Sequence, residues 1–453
     1  MGTQLRQADA TPTKQFFVQM LTRDISLTDC ILDLIDNSID GAWDNAQIPA
    51  EEIVRNPIDF DDRSLSGYRI DIDFTDSSFT IRDNCGGITL DDAADYAFTF
   101  GRKEGRVDDD FSVGVYGIGM KRAVFKLGSL IDITSTYTES NERQAYKIPI
   151  NVAAWLKSSS LPWDFDIEES ESLEEDGVRI EVTDLADGTQ RSFADPTFEG
   201  RLVRTLARDY MIPLMHGLEI RVNSRPVVGW EFNLQENENF APVRLAYNDE
   251  GVRVDLIAGM WGTPPDDPSP DEKPRKDDPS GWYIVCNGRV VLGPDTSITT
   301  GWGDQLPKWH RQYSGFAGIV VFSSTDPSRL PMTTTKRNVD ASSRLYSRAV
   351  EKMHEPARAW IDYSNKRKQN LEEAQEAEKG TASVNVFRAA ARQEIRVPVI
   401  SKPASRVRVA NVNYAVELVR MQRLQEAIGN INMSYRDAGI AAFEYAYDDL
   451  VGD

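Results

Sequence analysis

The clearest pattern of apolar and polar positions lies over residues 27–46. Apolar residues recur there every three or four positions, which is the spacing of a buried stripe on an α-helix. The stripe consists of Leu27, Cys30, Ile31, Leu34, Ile35, Ile39 and Trp43. Asp33, Asn37 and Asp40 share another face of the same helix. Such polar groups are costly to bury unless they meet a partner, and a metal-bound phosphate is one such partner. The alternative interpretation is that these residues form an ordinary solvated face of an amphipathic helix.

Two strands and a glycine-rich segment follow this helix. Alternating residues predict a strand over residues 68–74 and, after a polar turn, its hairpin partner over residues 78–82. The second strand runs directly into Asp83 and a cluster of turn residues. The charged residues 101–110 then precede glycines over residues 114–119, at the start of a predicted helix. Such glycines leave the first N–H groups of a helix free to face an anion, and the helix dipole adds to the attraction.

The rest of the chain mixes strands and helices, so we expect an α+β fold. Alternating or apolar runs predict strands or hairpins over residues 131–137, 145–150, 178–183, 218–228, 243–247, 252–260, 282–292 and 315–322. Helical spacing predicts helices over residues 13–23, 91–100, 198–211 and 342–379. Prolines and charged residues predict irregular segments over residues 45–66 and 262–281 and a linker over residues 380–405.

Composition and charge exclude several classes of protein. Of 453 residues, 40% are hydrophobic and 27% are charged, which is ordinary for a globular chain of several domains. The formal net charge of −21 argues against a surface-wide attraction to nucleic acid, although not against a local basic patch. The three cysteines are odd in number and far apart, which favours a reducing compartment without structural zinc. No apolar run reaches the length of a membrane span, so we predict a cytoplasmic protein with no membrane partner.

Three ordered sequence boxes resemble those of the Bergerat-fold (GHKL) ATPases, which include DNA gyrase B, the ninety-kilodalton heat-shock chaperone, MutL, histidine kinases and the microrchidia ATPases. The first box of these proteins reads E-x-x-x-N-x-x-D-A, and residues 33–41 read DLIDNSIDG. The second reads D-x-G-x-G, and residues 83–87 read DNCGG. The third ends G-[L/M/F]-K, and residues 117–121 read GIGMK. The likeness is closer to the gyrase, chaperone, MutL and microrchidia branch, because histidine kinases lack an acid at the position of Asp33.

The resemblance implies a two-layer α/β sandwich that binds ATP and Mg²⁺, with a role for each box. Asn37 would bind the metal, since an amide oxygen suits a hard cation. Asp83 would accept a hydrogen bond from the adenine amine, beside Gly87 and Ile88. The segment that would close over the phosphates comprises Gly114, Tyr116, Gly117, Ile118, Gly119 and Met120, with Lys121 as a charged contact.

Three departures from the family pattern bear on the predicted chemistry. Asp33 stands where relatives place the glutamate that activates the attacking water, and it is one methylene shorter, so we expect slow hydrolysis. Val178 stands where relatives place a threonine. The hydrogen bond that this threonine makes to the nucleotide would be absent here, or Thr183 would supply it. Cys85 replaces a glycine, for which we expect a structural role of the thiol.

The sequence divides into four predicted parts. Residues 1–187 would form the ATP-binding domain, and residues 188–345 a transducer-like α/β domain. By the resemblance, Lys336 of this second domain would reach back to the terminal phosphate; the alternative is a solvated loop lysine. Residues 346–405 form a charged helix and a linker, and residues 406–453 a small dimerisation or partner-docking module.

These expectations combine into magnesium-dependent ATP binding and slow hydrolysis, with ATP gating dimerisation of the N-terminal domains in a clamp-like homodimer. One alternative is a nucleotide-binding scaffold with negligible hydrolysis. Another is a histidine-kinase-like phosphotransferase, for which the candidate histidines are His216, His310 and His354. The sequence leaves two kinds of partner open: a protein client and a partner that acts on DNA. The locally basic linker offers one contact for nucleic acid, while a solvated linker is the alternative.

Overall fold

The structure is a computed structural model that describes residues 13–58, 63–99, 111–114, 117–157, 163–266, 278–401 and 412–452. The predicted roles of Tyr116 and of the charged residues 101–110 lie outside these ranges, as does most of the predicted irregular segment 262–281. The chain divides into two compact units, Met1–Ser401 and Lys402–Asp453.

Helices and strands are numbered in chain order. The helices are α1 (Lys14–Arg23), α2 (Leu27–Asn45), α3 (Ala50–Arg55), α4 (Leu90–Asp92, continued by a π-helical turn, Ala93–Ala97), α5 (Gly119–Leu127), α6 (Val152–Lys157), α7 (Asp187–Phe193), α8 (Phe198–Asp209), α9 (Met211–Met215), α10 (Arg344–Arg367), α11 (Leu371–Glu378), α12 (Leu418–Ile428) and α13 (Tyr435–Leu450). The strands are β1 (Arg69–Phe74), β2 (Ser78–Asp83), β3 (Gly128–Glu139), β4 (Glu142–Asn151), β5 (Glu168–Glu169), β6 (Gly177–Leu185), β7 (Glu219–Val222), β8 (Arg225–Pro226), β9 (Asn233–Glu236), β10 (Val243–Asp249), β11 (Val252–Met260), β12 (Gly281–Cys286), β13 (Arg289–Asp295), β14 (Phe316–Ser323) and β15 (Ala382–Asn385).

The first sheet has eight strands in the order β5-β4-β3-β6-β2-β1-β7-β8. The predicted hairpin pairs β1 with β2 in antiparallel register, and Ile72 lies opposite Ile81. In β1 the residues Ile70, Ile72 and Phe74 are buried while the alternate positions are less so, which gives the sheet one covered face. Helices α2 and α5 contribute to the core on that face. The α+β class predicted from the sequence is therefore confirmed.

The first sheet extends beyond the predicted domain boundary at residue 187. Strand β7 pairs in parallel with β1, and β8 pairs with β7. In the same core, Phe193 of α7 stacks on Phe74, and Phe198 of α8 meets the Phe74 ring edge-on. Residues up to 226 thus belong structurally with this sheet, because their apolar side chains complete its covered face.

The second sheet has five strands in the order β10-β11-β14-β12-β13. Its central strands are buried on both faces, so their residues read as continuous apolar runs. On one face Trp282 and Ile284 of β12 pack in a core that includes residues of α10. On the other face Tyr283 and Val285 pack in a smaller core with residues of α9.

Two segments are more regular than the sequence predicts. Residues 45–66, predicted as irregular, contain α3. The predicted linker begins with β15, which pairs with β9 in antiparallel register, and Arg392 and Arg396 form backbone bridges to residues 244 and 241. Pairing to strands distant in sequence orders this part of the chain, which is information that local composition does not carry.

The second unit contains α12 and α13. The Ser434 side chain caps α13 by accepting the Asp437 N–H at 3.1 Å. Phe443 and Tyr445 on this helix are 60% and 76% exposed. Separately, none of the helices within the described ranges combines the length and apolarity that crossing a membrane requires.

Candidate functional site

A cavity of roughly 410 Å³ lies among α2, the end of β2 and the start of α5. This volume is within the usual range for small-molecule sites. Most of the residues that the sequence predicts for the site line it: Asp33, Asn37, Asp83, Gly87, Ile88, Gly114, Gly117, Ile118, Gly119, Met120, Lys121 and Lys336. Thr183 does not line the cavity; it is an exposed residue of β6. The fold therefore gathers positions from across 300 residues of chain into one site.

Asp83, at the end of β2, is held by three hydrogen bonds. Its Oδ2 accepts the Ser38 hydroxyl at 2.7 Å, and its Oδ1 accepts the backbone N–H groups of Cys85 at 3.0 Å and Val178 at 3.2 Å. Burial raises the pKa of this carboxyl above its ordinary value, although the three hydrogen bonds oppose that shift. A carboxylate has about four acceptor positions, so Asp83 can be fixed in place and still accept a bond from a ligand amine.

The turn after Asp83 depends on a glycine. Gly87 has φ +77°, and a Cβ at this position would lie 2.1 Å from the Thr136 carbonyl oxygen. The next residue is also fixed, because the Ile88 N–H donates to the Ser135 hydroxyl at 2.8 Å, and the Ile88 carbonyl accepts a bond from the Tyr146 hydroxyl at 3.0 Å. This wall of the cavity is therefore rigid and presents backbone rather than side chain.

Gly41 and Cys85, which replace alanine and glycine of the family boxes, face each other. A Cβ at Gly41 would lie 3.0 Å from the Cys85 carbonyl oxygen and 3.7 Å from the Cys85 Cβ. Cys85, which is larger than the glycine of the family pattern, is thus accommodated by Gly41, which is smaller than the alanine of that pattern. Burial raises the pKa of the Cys85 thiol well above its ordinary value, which suits an inert structural group.

Asp36 is the most buried acid of α2, with 1% of its surface exposed. Its Oδ1 accepts bonds from Arg289 at 2.5 Å and from the Tyr210 hydroxyl at 2.8 Å, and its Oδ2 accepts one from the Lys336 ammonium at 2.8 Å. Burial alone would raise its pKa, but the charges of Arg289 and Lys336 outweigh that effect and lower it. Asp36 is therefore the charged centre of a buried network.

Asp33 lies one turn before Asn37 and is also buried, with 4% of its surface exposed. Its Oδ2 accepts a bond from Arg122 of α5 at 2.5 Å, and its Oδ1 lies 3.8 Å from the Lys336 ammonium. The acid predicted to activate water is thus paired with an arginine. Asn37, by contrast, is exposed and lines the cavity, and its side chain makes no hydrogen bond within the described ranges.

The side chains of Asp40 and Lys121 form hydrogen bonds with backbone groups. The Asp40 carboxylate accepts the N–H groups of Val113 at 2.9 Å and Gly114 at 3.0 Å, and burial raises its pKa to about 7. The Lys121 ammonium donates to the carbonyl oxygens of Ala97 at 2.8 Å and Thr99 at 2.6 Å, and burial lowers its pKa to about 8. Lys121 lines the cavity, but a phosphate contact through this lysine would require it to leave those carbonyls.

Lys336 follows β14 and enters the cavity from the second sheet. Its ammonium binds Asp36. Burial alone would lower the pKa of Lys336, but the charges of Asp36, Asp33 and Asp40 outweigh that effect and raise it. The next residue, Arg337, forms ion pairs with Asp29 and Asp209, which fix this loop against α2 and α8. The structure thus places Lys336 beside the predicted catalytic acid.

Four residues of the buried networks beside the cavity have no predicted binding role in the sequence analysis: Asp36, Arg122, Tyr210 and Arg289. Arg122 lines the cavity, and the other three are bonded to one another. A signal existed for two of them. Asp36 directly follows the apolar pair Leu34 and Ile35 of the helical segment, and Arg289 opens the second strand of an apolar hairpin. A charged residue in such a position must find a buried partner. Which partner it finds was decided only by the packing of the two sheets.

The donor groups of the cavity fit a nucleotide with its metal. Among the residues that the structure describes, no side chain caps the N-terminus of α5, which leaves its first N–H groups for an anion. The exposed amide of Asn37 offers an oxygen of the kind that Mg²⁺ accepts alongside water and phosphate. Asp83 offers a fixed acceptor in the same cavity.

Comparison with known families agrees with this geometry. Residues 25–177 match a family model described as histidine kinase-, DNA gyrase B-, and HSP90-like ATPase. The matched range begins at α2 and ends in β6, so it includes all three boxes. No curated protein matches the chain significantly.

Proposed function

Because residues 25–177 belong to the GHKL, or Bergerat-fold, ATPase superfamily and form an ATP-binding domain, we propose that the protein binds ATP with Mg²⁺ and hydrolyses it slowly to ADP and phosphate. The observation that carries this proposal is the convergence of Asp33, Asn37, Asp83 and Lys336 on one cavity. We further propose that ATP controls the pairing of N-terminal domains in a homodimer.

The residues of the cavity divide the work of binding. Asp83 accepts the amine of the base, and the backbone at Gly87 allows the base to approach closely. Asn37 would hold Mg²⁺, which supplies charge neutralisation at the phosphates. The N–H groups at the start of α5 face the phosphate oxygens, as helix N-termini do in other anion sites.

Hydrolysis requires an acceptor for the proton of the attacking water. Asp33 is the acid that lines the cavity one turn from Asn37, but Arg122 occupies its Oδ2 at 2.5 Å. Asp33 must loosen this ion pair, or use its other oxygen, before it accepts a proton. Lys336, 3.8 Å from that other oxygen, is placed to move from the carboxylates to a phosphate. Both features favour slow turnover.

The test is to measure binding and hydrolysis separately. Calorimetry with a non-hydrolysable ATP analogue should show Mg²⁺-dependent binding that Asn37→Ala removes and Asp83→Asn weakens. Asn248→Ala, at an exposed position of β10, is the matched control. Asp33→Ala should retain binding and release no phosphate. Near-normal affinity in both Asn37→Ala and Asp83→Asn would overturn the site.

A nucleotide-binding scaffold with negligible hydrolysis is the second candidate, and the Arg122–Asp33 ion pair favours it. Single-turnover phosphate release distinguishes the two, because a scaffold releases no phosphate above the Asp33→Ala background. Phosphotransfer through His216 or His354 is disfavoured, since these two candidates are 1% and 2% exposed. The third candidate, His310, is exposed, and its Nδ1 accepts the Gln312 N–H at 3.2 Å. An acid-labile phosphate on the protein after incubation with labelled ATP would restore that alternative.

The oligomer and client are further parts of the proposal. The exposed aromatic residues of α13 and the locally basic residues 388–396 are candidate surfaces for a partner that is a protein or acts on DNA. Light scattering after gel filtration should show a dimer that forms with the ATP analogue and not with ADP. A mass independent of nucleotide would contradict ATP-gated pairing.

A further inference from the structure

The tip of the β12–β13 hairpin, residues 287–289, reaches from the second sheet to two segments that form walls of the nucleotide cavity. Asn287 and Gly288 form a two-residue turn in which φ is +43° and +82°. Such a turn joins the strands tightly and favours Asn-Gly. The hairpin is buried along β12, so its tip is held rigidly by the second sheet.

The Asn287 side chain uses its donor and acceptor groups in three buried hydrogen bonds. Its Nδ2 donates to the carbonyl oxygens of Ser112 at 2.8 Å and Ser324 at 3.0 Å, and its Oδ1 accepts the Ser324 N–H at 3.0 Å. Asn287 is 2% exposed. Ser324 directly follows β14, but Ser112 belongs to the segment that enters the glycine-rich box.

That segment, residues 111–114, is held from two sides. The N–H groups of Val113 and Gly114 donate to Asp40 of α2. The Val113 side chain, 4% exposed, packs in the core of the second sheet instead of the first. Gly114 lines the cavity. A displacement of the second sheet therefore acts directly on the backbone at the cavity wall.

The same tip contacts α2 through Arg289. This guanidinium, 3% exposed, binds Asp36 at 2.5 Å, and Asp36 also binds Lys336. One rigid turn thus touches two walls of the cavity: residues 111–114 through Asn287, and α2 through Arg289.

We propose that Asn287 is a positioning residue that couples the nucleotide cavity to the second sheet through its bond to Ser112. This route is separate from Lys336, and the inference rests on the proposed ATP binding. ATP in the cavity favours one position of residues 111–114, and the Asn287–Ser112 bond transmits that preference to the hairpin. Because coupling between sites is reciprocal, the hairpin also biases the affinity of the cavity for nucleotide.

Asn287→Gly tests the inference without straining the turn, since Gly-Gly adopts positive φ readily. Asn223→Gly is the matched control: Asn223 also opens a two-residue turn, with φ +46°, and its Oδ1 accepts the Phe74 N–H at 2.9 Å, away from the cavity lining. Asn287→Asp is a second variant. It keeps an acceptor for the Ser324 N–H and suits the turn, but it has no donor for Ser112 when ionised.

The measurement is hydrogen–deuterium exchange with and without a non-hydrolysable ATP analogue. In the wild type and in Asn223→Gly, the analogue should slow exchange at the cavity peptides and in residues 281–295. In Asn287→Gly and Asn287→Asp, protection of the cavity should persist while that of the hairpin is lost. Affinity should fall by about 2- to 10-fold, the range expected for one net hydrogen bond.

The outcomes separate this inference from the proposed function. If the wild type shows no protection of the cavity and no calorimetric binding, the proposed ATP binding fails. If the wild type protects the cavity but not the hairpin, or if both Asn287 variants keep full protection of the hairpin, the coupling role is overturned. An Asn287→Gly variant that unfolds leaves Asn287→Asp to decide between the same two results.

Discussion

At the scale of the residue, the site is governed by which charges are buried together. Asp36, Arg289 and Lys336 are all at least nine-tenths buried, and each is balanced by the others. Burying a charge is costly, and removing one member of such a group leaves the remaining charges without compensation. The network therefore links the stability of the fold to the chemistry of the cavity.

Asp36→Ala should destabilise the protein by about 3–5 kcal/mol, because two cations stay buried without their shared carboxylate. Urea denaturation measures the change. Asp76→Ala, in the exposed β1–β2 turn, is the control and should change the free energy of unfolding by less than about 0.5 kcal/mol. A loss below about 1 kcal/mol for Asp36→Ala would mean that water enters and solvates the two cations.

The raised pKa of Asp40 predicts that the stability of the fold depends on pH. Burial raises its pKa from 3.8 to about 7, so the folded state holds a proton that the unfolded state releases. The stabilisation is complete below pH 3.8 and is lost as the pH rises through about 7. Denaturation at a series of pH values should show Asp40→Asn gaining stability relative to wild type across this window. A difference that is constant with pH would contradict the raised pKa.

At the scale of the element, α2 and the turn after β2 carry the site because neighbouring elements leave them little freedom. Helix α2 begins at a Ser26 cap that accepts the Asp29 N–H at 3.1 Å, and the sheet and α5 cover most of its length. The turn at Gly87 is pressed against β3. An element held on several sides can present its polar groups at fixed positions to a ligand.

Gly87→Ala tests the turn. The substitution adds both a positive-φ strain and a clash with the Thr136 carbonyl, so it should cost more than about 2 kcal/mol of stability and remove ATP binding. Gly67→Ala is the matched control, since Gly67 has φ +96° with nothing within 4 Å. That control should cost about 1–2 kcal/mol and leave affinity unchanged. Equal effects in thermal denaturation and calorimetry would show that the close approach to β3 does not matter.

At the scale of the whole molecule, the two sheets meet at the cavity of the first. Lys336 and Arg289 come from the second sheet region and bind an acid of α2, and Val113 of the first region packs in the second core. The cavity and the arrangement of the two sheets are therefore joined by direct contacts.

Lys336→Ala should reduce turnover by about 10²-fold while leaving ADP affinity nearly unchanged, because the contact proposed for the lysine is to the terminal phosphate that ADP lacks. Lys308→Ala, at an exposed position after β13, is the control and should behave as wild type. Phosphate release and calorimetry with ADP and with the ATP analogue measure the two effects. Equal losses of ADP and ATP affinity would place the lysine elsewhere than at the terminal phosphate.

The sequence by itself determined the local features of this protein. The period of apolar residues predicted α2, alternation predicted β1 and β2, and the Asn-Gly pair predicted the β12–β13 hairpin, all of which the structure contains. The order of three boxes identified the superfamily and most of the cavity lining. These features depend on residues close together in the chain, so they can be predicted from the sequence without knowledge of the fold.

Tertiary structure alone decided the contacts between distant segments. It placed β7 beside β1, beyond the predicted boundary, and ordered part of the predicted linker against β9. It left Thr183 away from the cavity, paired Asp33 with Arg122, and made Asp36 the centre of a buried network. Each of these outcomes depends on which side chains meet across a large sequence separation. The spacing of residues along the chain cannot predict these contacts. A charged residue among apolar neighbours indicates that a buried partner is required, but not which residue that partner is.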